Sequence, residues 1–248
     1  MKISHVSLSL SVAFALALSA SAQTVLRFAG ATTLEKAIKP IAGAIGQTHK
    51  VTIELVPNGA GRGLEDLVAG KAQVAMLAGS LTNFAAQING KKPGTIDPEK
   101  LKVHPLFEMG AVVIVHPSNP VASLTHEQIR GLFSGKITNW KEVGGPDTPV
   151  LIVISAPSDG VRSVVTEKIM ADTAYAATAR MFQTSPEMNK VVAQVPGAVA
   201  MLSEKNAAPE VRAIKPAQPI LVPYSLISIG EPTEPIKSII AEIQTRLK

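Results

Sequence analysis

The sequence predicts an α/β protein in which helices pack against a sheet whose neighbouring strands run parallel. Residues 25–79 alternate strand and helix patterns in the order βαβαβ, which is typical of this class. The second half of the chain follows the same plan of buried strand, loop of small residues and helix. With 248 residues, 46% of them hydrophobic, the chain suits one large domain or two small lobes.

The first strand is predicted at residues 25–28, and a helix follows it. Thr32 and Glu35 form a capping-box pattern, so this helix is predicted to begin there. Pro40 is expected to kink or end the helix, because proline lacks the N–H that a helix interior requires. Alternating β-branched residues then predict a strand over residues 51–57.

The third strand is predicted after a glycine-rich loop and a short helix. The loop covers residues 58–63, and the helix covers residues 64–71 and closes at Gly70. The apolar segment 73–79 is the predicted strand. Residues 83–105 are polar, which predicts a surface connection.

The second half opens with a continuous apolar run over residues 111–117, which is bounded by proline and is typical of a buried strand. A helix is predicted to follow Thr125 as N-cap, with Gln128 completing a capping box and Gly135 just past the helix end. Residues 150–156 predict a second buried strand.

The last part of the chain carries five further patterns. Residues 157–170 predict a loop that passes into a helix, and residues 196–202 predict a strand. A proline-rich stretch over residues 209–223 leads into an apolar run over 223–229, and residues 235–248 predict an amphipathic helix.

The N-terminus predicts export from the cytoplasm. Residues 1–22 carry Lys2, an apolar run of about 13 residues and an Ala-Ser-Ala sequence, which together form a secretory signal with a cleavage site before Gln23. This run is shorter than the roughly 20 residues of a membrane-spanning helix. We therefore expect a periplasmic protein that is not embedded in the membrane.

The chain contains no cysteine, which excludes a disulfide framework, a thiol-ligated metal and a lipid anchor at the cleavage point. Its formal net charge of +5 is mild, the cations are scattered, and aromatic residues make up 4% of the chain. Nucleic-acid binders usually show a basic stripe with stacking rings. No nucleic-acid partner is therefore expected, whereas the positive balance is compatible with an anionic ligand.

Three loops place the start of a helix directly after a strand, at residues 30–33, 58–63 and 158–163. Each would leave backbone N–H groups unpaired and add the positive end of a helix dipole, so three convergent ends would hold an oxyanion. Loops of this kind also occur for turn and capping reasons alone. The candidate ligand-binding residues are Ala31, Thr32, Thr33, Asn58, Gly59, Gly61, Ser80, Ser158, Asp159, Gly160 and Arg162.

Catalytic, metal and cofactor sites have little support in the sequence. The loop at 58–63 lacks a Gly-Lys-Ser/Thr sequence, and Leu64 stands where a dinucleotide-binding pattern needs glycine. The histidines are isolated, and no G-x-S-x-G elbow is present. We therefore predict no enzyme, no metal site and no cofactor. Four methionines in apolar surroundings are predicted to fill the core: Met76, Met181, Met188 and Met201.

The segment at residues 124–140, LTHEQIRGLFSGKITNW, resembles the phosphate-binding periplasmic proteins of phosphate ABC transporters. Weaker similarities to this family occur in FAGATT, in the segment from ELVPNGAGRG to VAML, in APSDGVRS and in VPGAVAML. The resemblance implies a type II periplasmic-binding-protein fold with a ligand cleft between two α/β lobes. Lobe 1 would comprise residues 23–107 and 212–248, and lobe 2 residues 108–211.

The resemblance also implies a monomer that captures a small phosphate-like anion and delivers it to an ABC transporter permease. By position, an aspartate with which such receptors accept a proton from hydrogen phosphate falls at Ala78, and a loop serine falls at Asp159. The threonine that follows that serine falls at Val161, and an arginine that precedes the loop falls at Ser155.

Asp159 would bring a carboxylate close to the expected anion. At an effective dielectric near 20, two unit charges about 4 Å apart repel by roughly 4 kcal/mol. Either Asp159 turns away to cap its helix, or the ligand is not simple phosphate. Arg162 would supply positive charge to the ligand or pair with Asp159, and a ligand with both an acidic and a cationic group would explain both residues.

Four functions therefore stand beside one another. The leading one is a receptor that delivers a small anion, phosphate first, to a membrane transporter. Its rivals are a receptor of the same fold rebuilt for another ligand, and a degenerate receptor that acts as a sensor or adhesion partner without transport. An exported hydrolase ranks last, since the sequence shows no nucleophile and base in a recognisable arrangement.

Overall fold

The computed structural model describes residues 24–247, so the predicted signal at residues 1–22 lies outside the described residues. The strands are β1 (Thr24–Gly30), β2 (Val51–Val56), β3 (Val74–Ala78), β4 (Leu101–Val115), β5 (Leu151–Ser155), β6 (Arg180–Phe182), β7 (Ala198–Ser203), β8 (Arg212–Ile214) and β9 (Ile220–Ile229). The helices are α1 (Thr32–His49), α2 (Ala60–Val68), α3 (Leu81–Lys91), α4 (His126–Ser134), α5 (Gly160–Val165), α6 (Ser185–Gln194) and α7 (Ile236–Arg246).

All the strands belong to one mixed sheet, in the order β2-β1-β3-β9-β4-β7-β5-β6, with β8 paired to β4. The pairs β1–β2 and β1–β3 are parallel, as the βαβαβ pattern predicted. The pairs β5–β6 and β5–β7 are parallel as well. We call β1–β3 with α1–α3 the first half of the molecule, and β5–β7 with α4–α6 the second half.

Two long antiparallel strands, β4 and β9, connect the halves. They pair from Leu101 opposite Ile229 to Ala111 opposite Ile220, with an irregularity near Pro105. Beyond Ala111, β4 pairs with β7 and β8. One sheet therefore runs through both halves, and the lobe boundaries predicted from the sequence stay predictions.

The core extends through both halves and takes in all the predicted strand runs. Phe28, Val113 and Ile227 are fully buried in it, and so is Trp140, whose indole N–H donates to the Gly197 carbonyl at 3.0 Å. In the part of the chain that the structure describes, no helix combines the length and the apolar character needed to cross a membrane.

The start of α4 confirms its sequence prediction in detail. Thr125 is the N-cap and accepts from the backbone N–H of Gln128, whose side chain accepts from Thr125 N–H at 2.9 Å. Gly135 ends the helix with a φ of 74°. Local capping chemistry is enough to set these boundaries, because each bond joins residues within one turn.

The helix start predicted at Thr32 is confirmed, but the capping box predicted there and the loop predicted at residues 58–63 are wrong. No side chain caps α1, whose N-cap is Ala31, so the Thr32–Glu35 capping box does not form. The helix continues past Pro40 to His49, because Pro40 lies on the exposed face while the opposite face is buried. An interior proline costs about 3 kcal/mol, which burial of two or three aliphatic side chains offsets. The predicted loop at residues 58–63 is partly helical, since α2 begins at Ala60.

Residues 83–105 do not form a surface connection without regular structure. They contain most of α3, a 3-10 turn and the start of β4. Ser80 caps α3 by accepting from Asn83 N–H at 3.0 Å, and Phe84 and Ile88 are buried one turn apart on its inner face. The elements β6, β8 and α6 were not predicted. The two strands have three residues each, whereas α6 was missed although Thr184 and Glu187 form a capping box at its start.

Candidate ligand-binding cleft

Loops from both halves meet at one edge of the sheet. The Gly59 N–H donates to the Gly30 carbonyl at 2.9 Å, which joins the loops that follow β1 and β2. The backbone N–H of Ser80, after β3, donates to Ser163 Oγ at 3.0 Å. Ser163 lies on α5, so this bond crosses from the first half to the second. The three predicted loops therefore lie at a common junction.

The N-terminus of α1 is open. Ala31 is its N-cap without a side-chain hydrogen bond, and its own N–H donates to the Met76 carbonyl at 2.8 Å. Thr32 and Thr33 are exposed in the first turn. Helix N-termini leave backbone N–H groups without intrahelical partners, so this end presents donors and a positive dipole. Gly30 permits the turn, since its φ is 141° and a Cβ there would lie 2.2 Å from the Met76 oxygen.

The N-terminus of α2 is open as well. Gly59 is the N-cap, with a φ of 94° and no side-chain hydrogen bond, and Gly61 lies in the first turn. The Asn58 side chain does not face this end, because its amide nitrogen donates to Asp66 at 2.8 Å. The buried Asn58 Oδ1 accepts no hydrogen bond within the described residues. Only the backbone of Asn58 therefore remains a candidate ligand contact.

Ser80 has a structural role that the sequence did not show. Its hydroxyl is engaged in capping α3, and its residue is 7% exposed. Gly79 beside it has a φ of 114° and packs against α5, where a Cβ would lie 2.2 Å from Ser163 Oγ. The Ser80 side chain thus caps its own helix, and its backbone N–H forms the hydrogen bond to Ser163 in the second half.

Asp159 caps α5, which was one of the two alternatives left open by the sequence. Its Oδ1 accepts from the backbone N–H of Arg162 at 2.9 Å and from the Ser155 hydroxyl at 3.1 Å. Burial raises the pKa of the Asp159 carboxyl above its ordinary value. These hydrogen bonds and the Arg162 charge act in the opposite direction and only partly offset burial.

The Arg162 guanidinium is turned away from the open helix ends. It donates to the Ser155 carbonyl and lies over the Tyr175 ring, 4.9 Å from the ring centroid. Among the described residues, no ion pair within 4.0 Å joins it to Asp159. The placement of Arg162 therefore supports neither sequence alternative, positive charge supplied to the ligand or an ion pair with Asp159, because both of its contacts lie within the second half.

Ser158 and Gly160 occupy different surroundings in the α5 loop. Ser158 is exposed, whereas Gly160 lies against the end of β3, where a Cβ would be 2.5 Å from the Ala78 oxygen. The tight approach explains why glycine stands at 160. Of these two residues, Ser158 offers an exposed hydroxyl, whereas Gly160 offers only its backbone.

Sequence reasoning missed Tyr224, a residue that lies near both Thr33 and Asp159. Tyr224 lies on β9 in register with Ala78 and stacks on Phe107 with ring centroids 4.9 Å apart. Its hydroxyl lies close to the side chains of Thr33 and Ser203, and burial, with the nearby Asp159 charge, raises the Tyr224 pKa. Only the pairing of β3 with β9 brings this residue to the site, and no local pattern reveals it.

A cleft of about 390 Å³ opens between the halves beside these groups. Gly61 and Ser158 line it from opposite sides. Met181 also lines it and is 48% exposed, so its predicted place in the core is wrong, whereas the other three methionines are buried. The remaining lining residues are Arg62, Glu65, Phe84, Gln87, Ile88, Lys91, Ala156, Pro157 and Gln183.

Within residues 24–247, no group of three or more His, Asp or Glu side chains is arranged to hold a metal ion. The junction of the loops instead offers backbone N–H donors at the starts of α1 and α2, the hydroxyls of Thr33 and Tyr224, and the nearby Asp159 carboxylate. The adjoining cleft adds the Ser158 hydroxyl. Donors of this kind can surround a small oxyanion.

A family model described as a PBP superfamily domain matches residues 17–235. The phosphate-binding protein PstS of Bacillus subtilis (strain 168) is 30% identical over 151 residues, and the alignment covers 61% of this chain and 47% of that relative. The chain thus spans about half the length of the curated relative that it matches. That relative is described as a binding protein.

Two solved structures share the architecture. An ABC-type phosphate transport receptor from Vibrio cholerae superposes with a TM-score of 0.72 at 22% identity, over 89% of this chain and 93% of that chain. A "Putative Phosphate ABC Transporter Substrate-Binding Protein with Bound Phosphate" from Clostridium perfringens gives a TM-score of 0.68 at 25% identity over the same shares, 89% and 93%. Both have the type II periplasmic-binding-protein fold, so the predicted fold class is confirmed.

Proposed function

Because the chain belongs to the PBP superfamily, we propose that it is a periplasmic receptor that captures a small oxyanion, phosphate first, for an ABC transporter. The observation that carries this proposal is the pair of helix N-termini, α1 and α2, that no side chain caps. Both open toward the second half at the ends of parallel strands, which is where α/β sheets bind ligands. The names of the relatives from Bacillus, Vibrio and Clostridium support phosphate as the first ligand to test.

The hydroxyl groups around the open helix ends support an oxyanion ligand. Thr33 adds a hydroxyl to the exposed first turn of α1, and Tyr224 brings a buried hydroxyl to it from β9. Ser158 lines the adjoining cleft from the second half. A bound anion would thus receive hydrogen bonds from both halves, and hydrogen bonds to charged groups contribute roughly 1.5–3 kcal/mol each.

The capping role of Asp159 reduces the main objection to an anionic ligand. One carboxylate oxygen is held by Arg162 N–H and the Ser155 hydroxyl, so part of its charge is stabilised within α5. The charge still lies near Tyr224 and opposes an anion there. We therefore propose that the receptor binds phosphate despite Asp159, with an affinity that this residue lowers.

Transport, periplasmic location and the monomeric state belong to the proposal. The predicted signal at residues 1–22 supports export, and the description of the Vibrio structure as a transport receptor supports delivery to a permease. The periplasmic location is tested by separating the periplasmic fraction of cells that produce the chain and measuring the mass of the N-terminus. A product that retains residues 1–22 in the cytoplasm would contradict it.

Isothermal titration of residues 23–248 with phosphate and sulfate tests the ligand. Thr33→Val is expected to weaken phosphate binding by about 10- to 100-fold, because it removes one hydrogen bond to a charged group. Thr245→Val is the matched control, since Thr245 is exposed on α7 and donates only to the Ala241 carbonyl. Absence of heat and of thermal stabilisation with every oxyanion tested would exclude the proposal.

A receptor of the same fold with another ligand is the second candidate. It is favoured by Ala78, which is 8% exposed at the end of β3 and places no carboxylate beside Tyr224, and by the unusual Asp159. Thermal unfolding against phosphonates and amino acids separates the two candidates. A ligand at 100 times its dissociation constant would stabilise the protein by about 2.7 kcal/mol. A degenerate receptor that acts as a sensor or adhesion partner would respond to none of these ligands.

A further inference from the structure

The cleft between the halves is larger than a bare tetrahedral anion requires, and it carries an exposed apolar side chain, Met181. It measures about 390 Å³, within the roughly 300–1,000 Å³ typical of sites for organic ligands. An inorganic oxyanion gains from donors on every side and gains nothing from an apolar wall. The apolar part of this cleft therefore lacks a use if inorganic phosphate is the only ligand.

The apolar wall comes from both halves. Met181 supplies it from β6, and on the opposite side Phe84 and Ile88 of α3 reach the cleft although they are only 2% and 8% exposed. Met181 is 48% exposed, which places a large apolar side chain in water unless something covers it. An organic group held between α3 and β6 would cover Met181 and contact both ring and aliphatic surfaces.

The wall begins directly beside the open end of α2. A Cβ at Gly61 would lie 3.9 Å from Phe84, which is ordinary van der Waals contact. A substituent on an anionic head bound at Gly61 would therefore lie next to the Phe84 ring. Ser158, on the other side of the cleft, offers a hydroxyl to the same head.

The charges that line the cleft favour an anionic ligand. Arg62 and Lys91 contribute two cations and Glu65 one acid. Throughout residues 24–247, none of these three side chains forms an ion pair within 4.0 Å. The surplus positive charge attracts anions and leaves the cations available to a bound oxyanion.

We propose that the ligand of this cleft is an organic phosphate, an oxyanion head that carries a small apolar substituent. The head lies at Gly61 and Ser158, and the substituent lies along Phe84, Ile88 and Met181. This inference rests on the proposed function of the same site, which it narrows from oxyanions in general to phosphate monoesters.

Isothermal titration of residues 23–248 with inorganic phosphate, methyl phosphate and phenyl phosphate tests the substituent. Phenyl phosphate is expected to bind about tenfold more tightly than inorganic phosphate, with methyl phosphate between them, because binding buries the added apolar surface. If inorganic phosphate binds as tightly as phenyl phosphate or more tightly, the inference is overturned while the proposed function stands. If none of the three binds, both fail.

A pair of serine variants tests the place of the substituent. Met181→Ser is expected to weaken phenyl phosphate about fivefold and to change inorganic phosphate by less than about twofold, because only the substituent contacts Met181. Leu221→Ser is the control, since Leu221 is an apolar residue that is 41% exposed on β9 and does not line the cleft. It is expected to change neither affinity. Equal effects of the two variants on phenyl phosphate would overturn the assigned position.

Discussion

Replacing Asp159 with asparagine tests whether the carboxylate of the second half opposes a bound anion. Asp159 accepts hydrogen bonds from Arg162 N–H and the Ser155 hydroxyl, at 2.9 Å and 3.1 Å. Asparagine also offers an acceptor oxygen and ranks with aspartate as an N-cap. The start of α5 should therefore persist in the variant while one unit of negative charge is removed.

The expected gain in affinity follows from the position of Asp159 relative to Thr33. Both side chains lie near the Tyr224 hydroxyl. This hydroxyl therefore separates the Asp159 carboxylate from an anion bound at Thr33. Two unit charges about 7 Å apart at an effective dielectric near 20 repel by roughly 2.4 kcal/mol, or about 50-fold in affinity. Because Arg162 offsets part of this, we expect phosphate to bind Asp159→Asn about 10- to 50-fold more tightly.

Isothermal titration at low and at physiological salt measures this difference, which should shrink as salt screens the repulsion. Asp172→Asn is the matched control, since it removes the same charge from an exposed position beyond the far end of α5. If Asp159→Asn binds phosphate less tightly while remaining folded, Asp159 attracts the ligand and the reasoning is refuted.

The same variant should alter the pH dependence of stability. Because burial raises the Asp159 pKa in the folded state, the folded protein holds this proton more tightly than the unfolded chain does. This group therefore lowers stability as pH rises from the ordinary carboxyl range through the raised pKa, and its cost is complete above that pKa. The stability of Asp159→Asn minus that of the wild type, measured by urea unfolding, should increase over that window. A difference that stays constant with pH would contradict a raised pKa.

Three further predictions concern the cleft and the fold. Tyr224→Phe should weaken phosphate binding about tenfold in titration, because it removes one donor to the anion, and an unchanged affinity would exclude Tyr224 from the site. Gly30→Ala should lower the free energy of unfolding by at least about 2 kcal/mol in urea, because its φ is positive and the new Cβ would meet the Met76 oxygen. Gly43→Ala, with open space around its Cβ, should leave that free energy unchanged or raise it. Thr125→Ala should lower it by about 1 kcal/mol through loss of the α4 cap, and no change in urea would contradict the role of that cap.

The parts of the fold that depend on local chemistry were predictable from the sequence. Thr125, Gln128 and Gly135 act within one or two helical turns, and their pattern located α4 correctly. The interior of α1 was harder, because Pro40 predicts a break that the buried face of the helix overrides. Local preference failed where tertiary packing contributed more free energy than one lost hydrogen bond.

In the candidate site, too, local patterns were predictable from the sequence and contacts between distant residues were not. The loops after β1, β2 and β5 could be found because glycines and hydroxyls stand at strand ends. The roles of Asn58 and Arg162 could not, because their partners Asp66 and Tyr175 determine where each side chain points. The Ser80 cap was missed although its partner, the Asn83 N–H, lies within one turn. Tyr224 was hidden because only the antiparallel pairing of β9 with β3 brings it to the cleft.

Ala78 and Asp159 lie at a single junction between β3 and α5. A Cβ at Gly160 would lie 3.4 Å from the Ala78 Cβ, so the first turn of α5 lies directly against the end of β3. An aspartate at 78, as the resemblance places it in related receptors, would set a second carboxylate beside Asp159. Like charges this close raise the pKa of one carboxyl and disfavour the folded arrangement. A chain that places its carboxylate on α5 is therefore expected to carry a small, neutral side chain on β3.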